Sequence, residues 1–352
     1  MSLNRLTIRN LRNISSIEFN PEQKFNLFYG PNGSGKTSIL EAIHYLGFGR
    51  SFRGRIHERI IKKGEDALEV FGSTREGTGV GIEKGRGGNT RIRVNSENKK
   101  SIAELAEILP IQLIHPESYR ILDSGPKYRR QFLDWGVFHV EPVFMSIWRR
   151  TDIAIQQRNA ALRDINRHQI EIWNREIVLG AEQIDEMRKR YLVLFTPIFN
   201  EVYSSLNGEE VALKYQRGWS ESQELSEILE KSIQREQMLG YTEHGPHRAD
   251  LKIYSQNALV EDIFSRGQKK WLICALKFAQ GVLLQQQIQK PCIYLMDDLA
   301  AELDASRRKK VSDLLDSFDA QIFLTATELD KLGDFVERPL STVFHVERGG
   351  LR

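Results

Sequence analysis

Between two apolar stretches near the N-terminus stands Gly30-Pro31-Asn32-Gly33-Ser34-Gly35-Lys36-Thr37, which matches the phosphate-loop pattern G-x-x-x-x-G-K-[ST] at every fixed position. Such a loop works because glycines let successive backbone N–H groups turn inward around phosphate oxygens, while Lys36 adds a positive charge and Thr37 a hydroxyl ligand for Mg²⁺. It also needs a strand to deliver it and a helix to leave it. Phe25–Tyr29 reads as a short apolar strand, and Thr37–Leu46 reads as a helix with Ile39, Leu40, Ile43 and Leu46 on one face. An α/β fold with a site for ATP or GTP is therefore the first expectation.

The chain has 352 residues, 40% of them hydrophobic, enough to bury a sizeable core in about two domains. Lys+Arg total 50 against Asp+Glu 47, so net charge says little about nucleic acid and any basic face has to be found locally. Cys274 and Cys292 have neither metal-site nor redox spacing and read as reduced packing residues. The first thirty residues hold no signal-like apolar run, and no stretch approaches the roughly 18 apolar residues a membrane helix needs. The expectation is a soluble protein of the cytoplasm.

Leu3–Ile8 alternates apolar with polar residues and Ile17–Phe19 resumes after Arg12-Asn13, the pattern of an edge hairpin leading to the phosphate-loop strand. After the phosphate-loop helix come Arg50, Arg53, Arg55, Arg59, Lys62 and Lys63 against one acid, Glu58. Such a run is either a solvated loop or a contact for nucleic-acid phosphates. Residues 66–100 alternate short β-like runs with glycine turns and are basic too, through Arg75, Lys84, Arg86, Arg91, Arg93, Lys99 and Lys100. A second basic segment favours the nucleic-acid reading.

From about Arg129 to Leu206 glycine nearly vanishes and apolar residues recur at helical spacing: Leu162, Ile165, Ile170, Trp173, Ile177, Ile184, Met187 and Tyr191. Polar faces carrying Gln156, Arg158, Arg163, Asp164, Glu171, Arg175, Glu182 and Lys189 complete a pair or more of long antiparallel helices. His168 and Trp173 read as packing or surface residues rather than ligands. Thr242 to Asp250, with two histidines, an arginine and a Gly-Pro pair, lacks metal-site spacing and reads as a structural or domain-coupling turn.

Phe264-Ser265-Arg266-Gly267-Gln268 opens a helix. Ser265 fits a helix cap, and Gly267 at a helix N-terminus also fits close approach of a phosphate. Cys292-Ile293-Tyr294-Leu295-Met296 is a buried-strand run closing in Asp297-Asp298, the Walker B arrangement. Asp297 supplies the carboxylate that the phosphate loop lacks for Mg²⁺, and Asp298 is placed to orient or deprotonate water. Gln321–Thr327 is a further strand ending in hydroxyls, so three strand ends converge on one nucleotide.

Phosphate loop, helical insertion, Ser-x-Gly-Gln, then Asp297-Asp298-Leu299-Ala300-Ala301-Glu302-Leu303-Asp304 resembles the ABC-type ATPases of the SMC branch. With Gly125-Pro126-Lys127-Tyr128-Arg129-Arg130 and Gly245-Pro246-His247-Arg248 in order, the chain is similar within that branch to the bacterial recombination mediators. The resemblance implies a P-loop ATPase head with a β-rich lobe and an inserted helical arm: head and lobe over residues 1–125, arm over 126–240, head again over 241–352. It implies ATP with Mg²⁺ as cofactor, Gly30–Thr37 binding the nucleotide, Thr37 and Asp297 the metal, and Asp298 with Lys36 in hydrolysis. Ser265, Gly267 and Gln268 would reach the γ-phosphate held by a second copy in an ATP-dependent homodimer. The implied partners are DNA at single-strand/double-strand junctions, RecO and RecR, and through them RecA, in gap repair and fork maintenance at the nucleoid.

Three positions depart from the wider ABC pattern: Asp298 replaces a glutamate, Arg266 a glycine, and Thr325 or Thr327 a histidine. A shorter acid and a missing histidine imply slow turnover. Gln112 and Pro116-Glu117 both remain open for the glutamine-loop position. A transporter subunit is opposed by the helical insertion and the missing histidine, and a non-catalytic scaffold by the full carboxylate set.

Overall fold

The computed structural model describes residues 2–54, 57–99, 101–206, 208–299 and 304–352, with residue 57 described through its backbone only. Arg55, Lys100 and Ala300-Ala301-Glu302-Leu303, singled out in the sequence, lie outside the described residues.

In chain order, β1 (Leu3–Leu11), β2 (Ile14–Phe19) and β3 (Phe25–Tyr29) lead to α1 (Lys36–Phe48). There follow β4 (Ala67–Thr74), β5 (Gly79–Gly85), β6 (Thr90–Val94), β7 (Glu97–Lys99), α2 (Ile102–Ile108) and β8 (Ile111–Ile114). Helices α3 (Arg120–Asp123), α4 (Pro126–Val140), α5 (Phe144–Arg163) and α6 (Arg167–Ser205) precede β9 (Ala212–Gln216), α7 (Leu225–Lys231) and α8 (Ile233–Leu239). Then come β10 (Asp250–Ser255), β11 (Ala258–Leu259), α9 (Val260–Ile263), α10 (Arg266–Ile288) and β12 (Cys292–Met296). The chain closes with α11 (Ala305–Ser317), β13 (Ala320–Ala326), α12 (Gly333–Val336), β14 (Ser341–Glu347) and β15 (Gly350–Leu351). Two compact units result, one of Met1–Ser118 with Leu284–Arg352 and one of Tyr119–Leu283.

The first unit contains two six-stranded sheets. One has the order β15-β14-β3-β13-β12-β8, and its strands from β14 to β8 run parallel. Strands covered on both faces must be apolar throughout, which is why every residue of Cys292–Met296 and of Ala320–Ala326 is buried. The register pairs Ala326 with Tyr29 and Leu324 with Met296, so Gly30 and Asp297 emerge at neighbouring carboxyl ends of the sheet. The other sheet is antiparallel, in the order β2-β1-β4-β5-β6-β7. Its glycine-punctuated strands bury Leu68, Val70, Val80, Ile82, Ile92 and Val94 in one core with Ile39, Ile43 and Leu46 of α1. The N-terminal hairpin therefore belongs to the β-rich lobe, and β1 is an interior strand, because β4 returns to pair with it from Leu3 to Arg9.

In the second unit α5 and α6 pack antiparallel as expected, and α6, at 39 residues, reaches about 58 Å. Arg158 is not on a polar face. It has no exposed surface and pairs with the equally buried Glu236 at 2.7 Å, while donating to Asn174, to Thr242 at 2.9 Å and to the Leu229 carbonyl. Residues 241–283 group with this unit rather than with the head, as do residues 119–125. The physical reason is pairing: β10 lies along β9 from Asp250 to Tyr254, and Arg129 of α4 holds both carboxylate oxygens of Asp250, at 2.7 and 3.0 Å. Among the described residues no helix is long and apolar enough to cross a membrane.

Candidate functional site

Gly30, Gly33 and Gly35 adopt φ of 149°, 78° and 123°, backbone that favours glycine. At Gly30 the constraint is doubled, since an added Cβ would lie 2.3 Å from the Val346 carbonyl oxygen. Gly35 caps α1 with no side-chain bond, so the first N–H groups of the helix face the loop as an anion site. Lys36 is 5% exposed and donates through Nζ to the carbonyls of Gly30, at 2.7 Å, and Pro31, at 3.1 Å. Burial pushes the Lys36 ammonium below its usual range, while Asp298 and then Asp297 pull it back up.

Asp297, just past β12, joins the first turn of α1 to the end of β13. Its Oδ1 accepts from Thr37 Oγ1 at 2.9 Å and from Thr325 Oγ1 at 2.8 Å. Thr325, at the end of β13 and fully buried, in turn accepts from the Asp298 backbone N–H at 3.0 Å. Asp298 stands at φ 54°, a left-handed conformation that this bond helps to hold. Thr325 thus occupies the strand end where the sequence lacks a histidine. Gln112 lies inside β8 and is 3% exposed, whereas Glu117 follows the strand in a short helical turn, Pro116–Tyr119, at the sheet's carboxyl edge.

Ser265, Gly267 and Gln268 belong to the second unit. Ser265 Oγ accepts from the Gln268 N–H at 3.3 Å, and Gln268 Oε1 accepts from the Ser265 N–H at 2.9 Å. This reciprocal capping box is the structural role read for Ser265, with Gln268 as the second half. Gly267 lies in the first turn of α10. In Thr242–Asp250 the polar groups hold the turn. His247 Nε2 donates to the Thr242 carbonyl at 3.0 Å, Arg130 donates to the Ala249 carbonyl at 2.7 Å, and Arg188, paired with Asp134, donates to the Pro246 carbonyl at 2.9 Å.

Arg50, Arg53, Arg59 and Lys63 are exposed; Lys62 is half-buried and donates to Ser15. In the β-rich lobe, Lys84 and Arg86 are structural clamps. Lys84 donates to the Gly88 carbonyl and Thr90 hydroxyl at 2.6 and 2.7 Å, and Arg86 to the Glu65 and Lys62 carbonyls at 2.6 and 2.9 Å. Two residues beside the loop carry little signal in the sequence. Asn13 donates to the Gly33 carbonyl at 3.1 Å, and Glu41 accepts from Arg12. The signal for Glu41 was a carboxylate amid the apolar run of the phosphate-loop helix.

A parallel sheet whose carboxyl edge carries a phosphate loop and a strand-end carboxylate bonded by two hydroxyls, interrupted by a helical unit, defines an ABC-type ATPase head of the SMC kind. The sequence matches the family model described as RecF/RecN/SMC N terminal domain over residues 2–349. It is 44% identical over 358 residues to the DNA replication and repair protein RecF of Pseudomonas fluorescens (strain SBW25), covering 99% of this chain and 97% of that protein. It is likewise 44% identical to that of Shewanella pealeana, covering 99% and 98%. Among solved structures it resembles the recombination mediator protein RecF-ATPrS in the RecFOR pathway, with TM-score 0.85, 25% identity and coverage of 99% and 97%. The Smc head of Pyrococcus furiosus shares the fold at TM-score 0.59 and 16% identity, over 99% of this chain and 95% of that one. The chain belongs to the RecF family.

Proposed function

We propose that the chain is an ATP-dependent DNA-binding recombination mediator whose slow ATP hydrolysis resets a DNA-bound homodimer. The observation that carries the hydrolytic part is the junction of Thr37, Asp297 and Thr325, with Asp298 bonded to the same hydroxyl. ATP is held by the N–H groups of the loop from Asn32 to Thr37 and by the Lys36 charge. Hydroxyl and carboxylate oxygens meeting at 2.9 Å are the hard donors that Mg²⁺ takes, so Thr37 and Asp297 would hold it. When bound, the ion offsets charge developing on the phosphates. Asp298 orients the attacking water, and its short side chain, with Thr325 in place of a histidine, keeps turnover slow. Ser265, Gly267 and Gln268 complete the site from the second copy.

The RecF name of the relatives supports DNA as partner, and the RecFOR pathway of the solved neighbour supports RecO and RecR, with RecA receiving the DNA. Arg50, Arg53, Arg59, Lys62 and Lys63, with Arg55, are the proposed phosphate contacts. The test is Asp298→Asn, which keeps shape and removes charge. ATP binding stays, hydrolysis slows by about 100-fold or more, and the ATP-dependent dimer outlives that of the wild type. Equal turnover would assign water activation elsewhere.

A further inference from the structure

Glu41 lies on α1 four residues after Thr37, on the same face one turn further along, and its carboxylate has no exposed surface. A buried carboxylate persists only when its oxygens are satisfied, and here the donors come from two places. Arg12 donates through Nε to Oε2 at 3.0 Å and through NH2 to Oε1 at 2.8 Å. Ser51 Oγ also donates to Oε1, and Arg53 NH1 stands 3.9 Å from Oε2.

The remaining Arg12 nitrogen donates to the Arg59 carbonyl at 2.7 Å, and the Arg12 backbone N–H to the Ile60 carbonyl at 2.8 Å. Two stretches of the basic segment, Ser51 with Arg53 and Arg59 with Ile60, are therefore tied to one carboxylate and its arginine. On its other side the same turn grips the phosphate loop. Asn13 donates to the Gly33 carbonyl at 3.1 Å and accepts from Ser38 Oγ at 3.1 Å. Arg12 sits at φ 54°, a left-handed conformation that its three side-chain bonds hold in place.

We infer that Glu41 is a positioning residue that couples the basic segment to the nucleotide site, so that DNA phosphates engaging Arg53 and Arg59 act on the phosphate loop through Arg12 and Asn13. The inference rests on the proposed DNA binding and ATP hydrolysis, and adds that the first stimulates the second. It differs from a purely structural role for Glu41 in one respect: loss of the link leaves ATP binding and basal hydrolysis in place and removes their response to DNA.

The test uses the full chain and measures ATP turnover with and without saturating gapped duplex DNA, alongside affinity for an ATP analogue. In Ser51→Ala and Glu41→Gln, analogue affinity and basal turnover stay within about twofold of wild type, while the factor of DNA stimulation drops to near one, a loss on the scale of an allosteric coupling. Ser51→Thr, which keeps the hydroxyl, retains stimulation. Should Glu41→Gln fail to fold, Ser51→Ala with its Ser51→Thr control decides the matter. Wild-type stimulation in Ser51→Ala, or in a folded Glu41→Gln, overturns the inference. The underlying reading is separately exposed by Arg59→Gln, whose DNA affinity should fall and whose slope of log K against log salt should flatten by about 0.9 per lost phosphate contact. No stimulation in the wild type, or an unchanged slope in Arg59→Gln, overturns the proposed DNA activity of this segment itself.

Discussion

Thr325→Val replaces a fully buried side chain by one of nearly equal shape and removes only its hydroxyl. Two bonds are lost. One is the charge-assisted donation to Asp297 at 2.8 Å, and the other is acceptance from the Asp298 N–H at 3.0 Å. A hydrogen bond to a charged group contributes about 1.5–3 kcal/mol, and a buried donor left without its acceptor costs about 1–3 kcal/mol. The strand end is thus destabilised by about 2.5–6 kcal/mol, shared between Asp297 and the residue whose left-handed backbone Thr325 helps to hold. Displacing a reacting group by about 1 Å lowers a rate on the order of 100-fold, so turnover falls by that scale. Binding of ATP, which the phosphate loop dominates, changes by less than about tenfold. Single-turnover hydrolysis of labelled ATP, with equilibrium titration of an analogue, separates the two effects. Thr325→Ser restores the hydroxyl and most of the rate. A Thr325→Val protein that hydrolyses ATP at the wild-type rate refutes this account of the Asp297–Thr325–Asp298 junction.

Lys36→Met loses ATP binding and keeps the fold, because the ammonium donates to the loop carbonyls of Gly30 and Pro31; calorimetric titration and a thermal melt check the two halves. Burial pushes the His247 imidazole down to about 4, with a smaller contribution from neighbouring Arg248. Against an unfolded value near 6.5, the unfolded state binds the extra proton as pH falls from about 6.5 to about 4, so stability is lost across that window, by about 3 kcal/mol in full. Urea midpoints at pH 7 and 4.5 should drop less in His247→Gln than in wild type, and equal drops contradict the assignment. Gly218→Ala places a Cβ 2.2 Å from the Gly245 carbonyl oxygen at φ 96° and should cost more than about 3 kcal/mol in chemical denaturation, against a near-neutral Gly87→Ala, where no atom lies within 4 Å.

What the sequence disclosed was whatever is local. The phosphate loop, the apolar Cys292–Met296 run into Asp297 and the glycine-punctuated lobe carry their structural instruction within a few residues of themselves. What stayed hidden depends on partners far along the chain. Nothing in Leu3–Leu11 announces that β4 will pair with it, and Asp250 gives no sign that Arg129 will claim both its oxygens. Arg158 looks like a solvated face until Glu236 arrives to neutralise it. Thr325 was legible as a hydroxyl at a strand end, but not as the group that joins Asp297 to Asp298.

The strand that delivers the phosphate loop, β3, takes both its neighbours, β13 and β14, from beyond residue 319. At about 5–20 residues per second of synthesis, Phe25, Leu27 and Phe28 wait about 15–60 s after leaving the ribosome tunnel for the strands that will cover them. The contiguous unit Tyr119–Leu283 is complete before that and can fold in the interval. The nucleotide site is therefore the last thing the nascent chain acquires. A product that stops before β13 carries an intact phosphate-loop sequence and lacks both strands that flank β3.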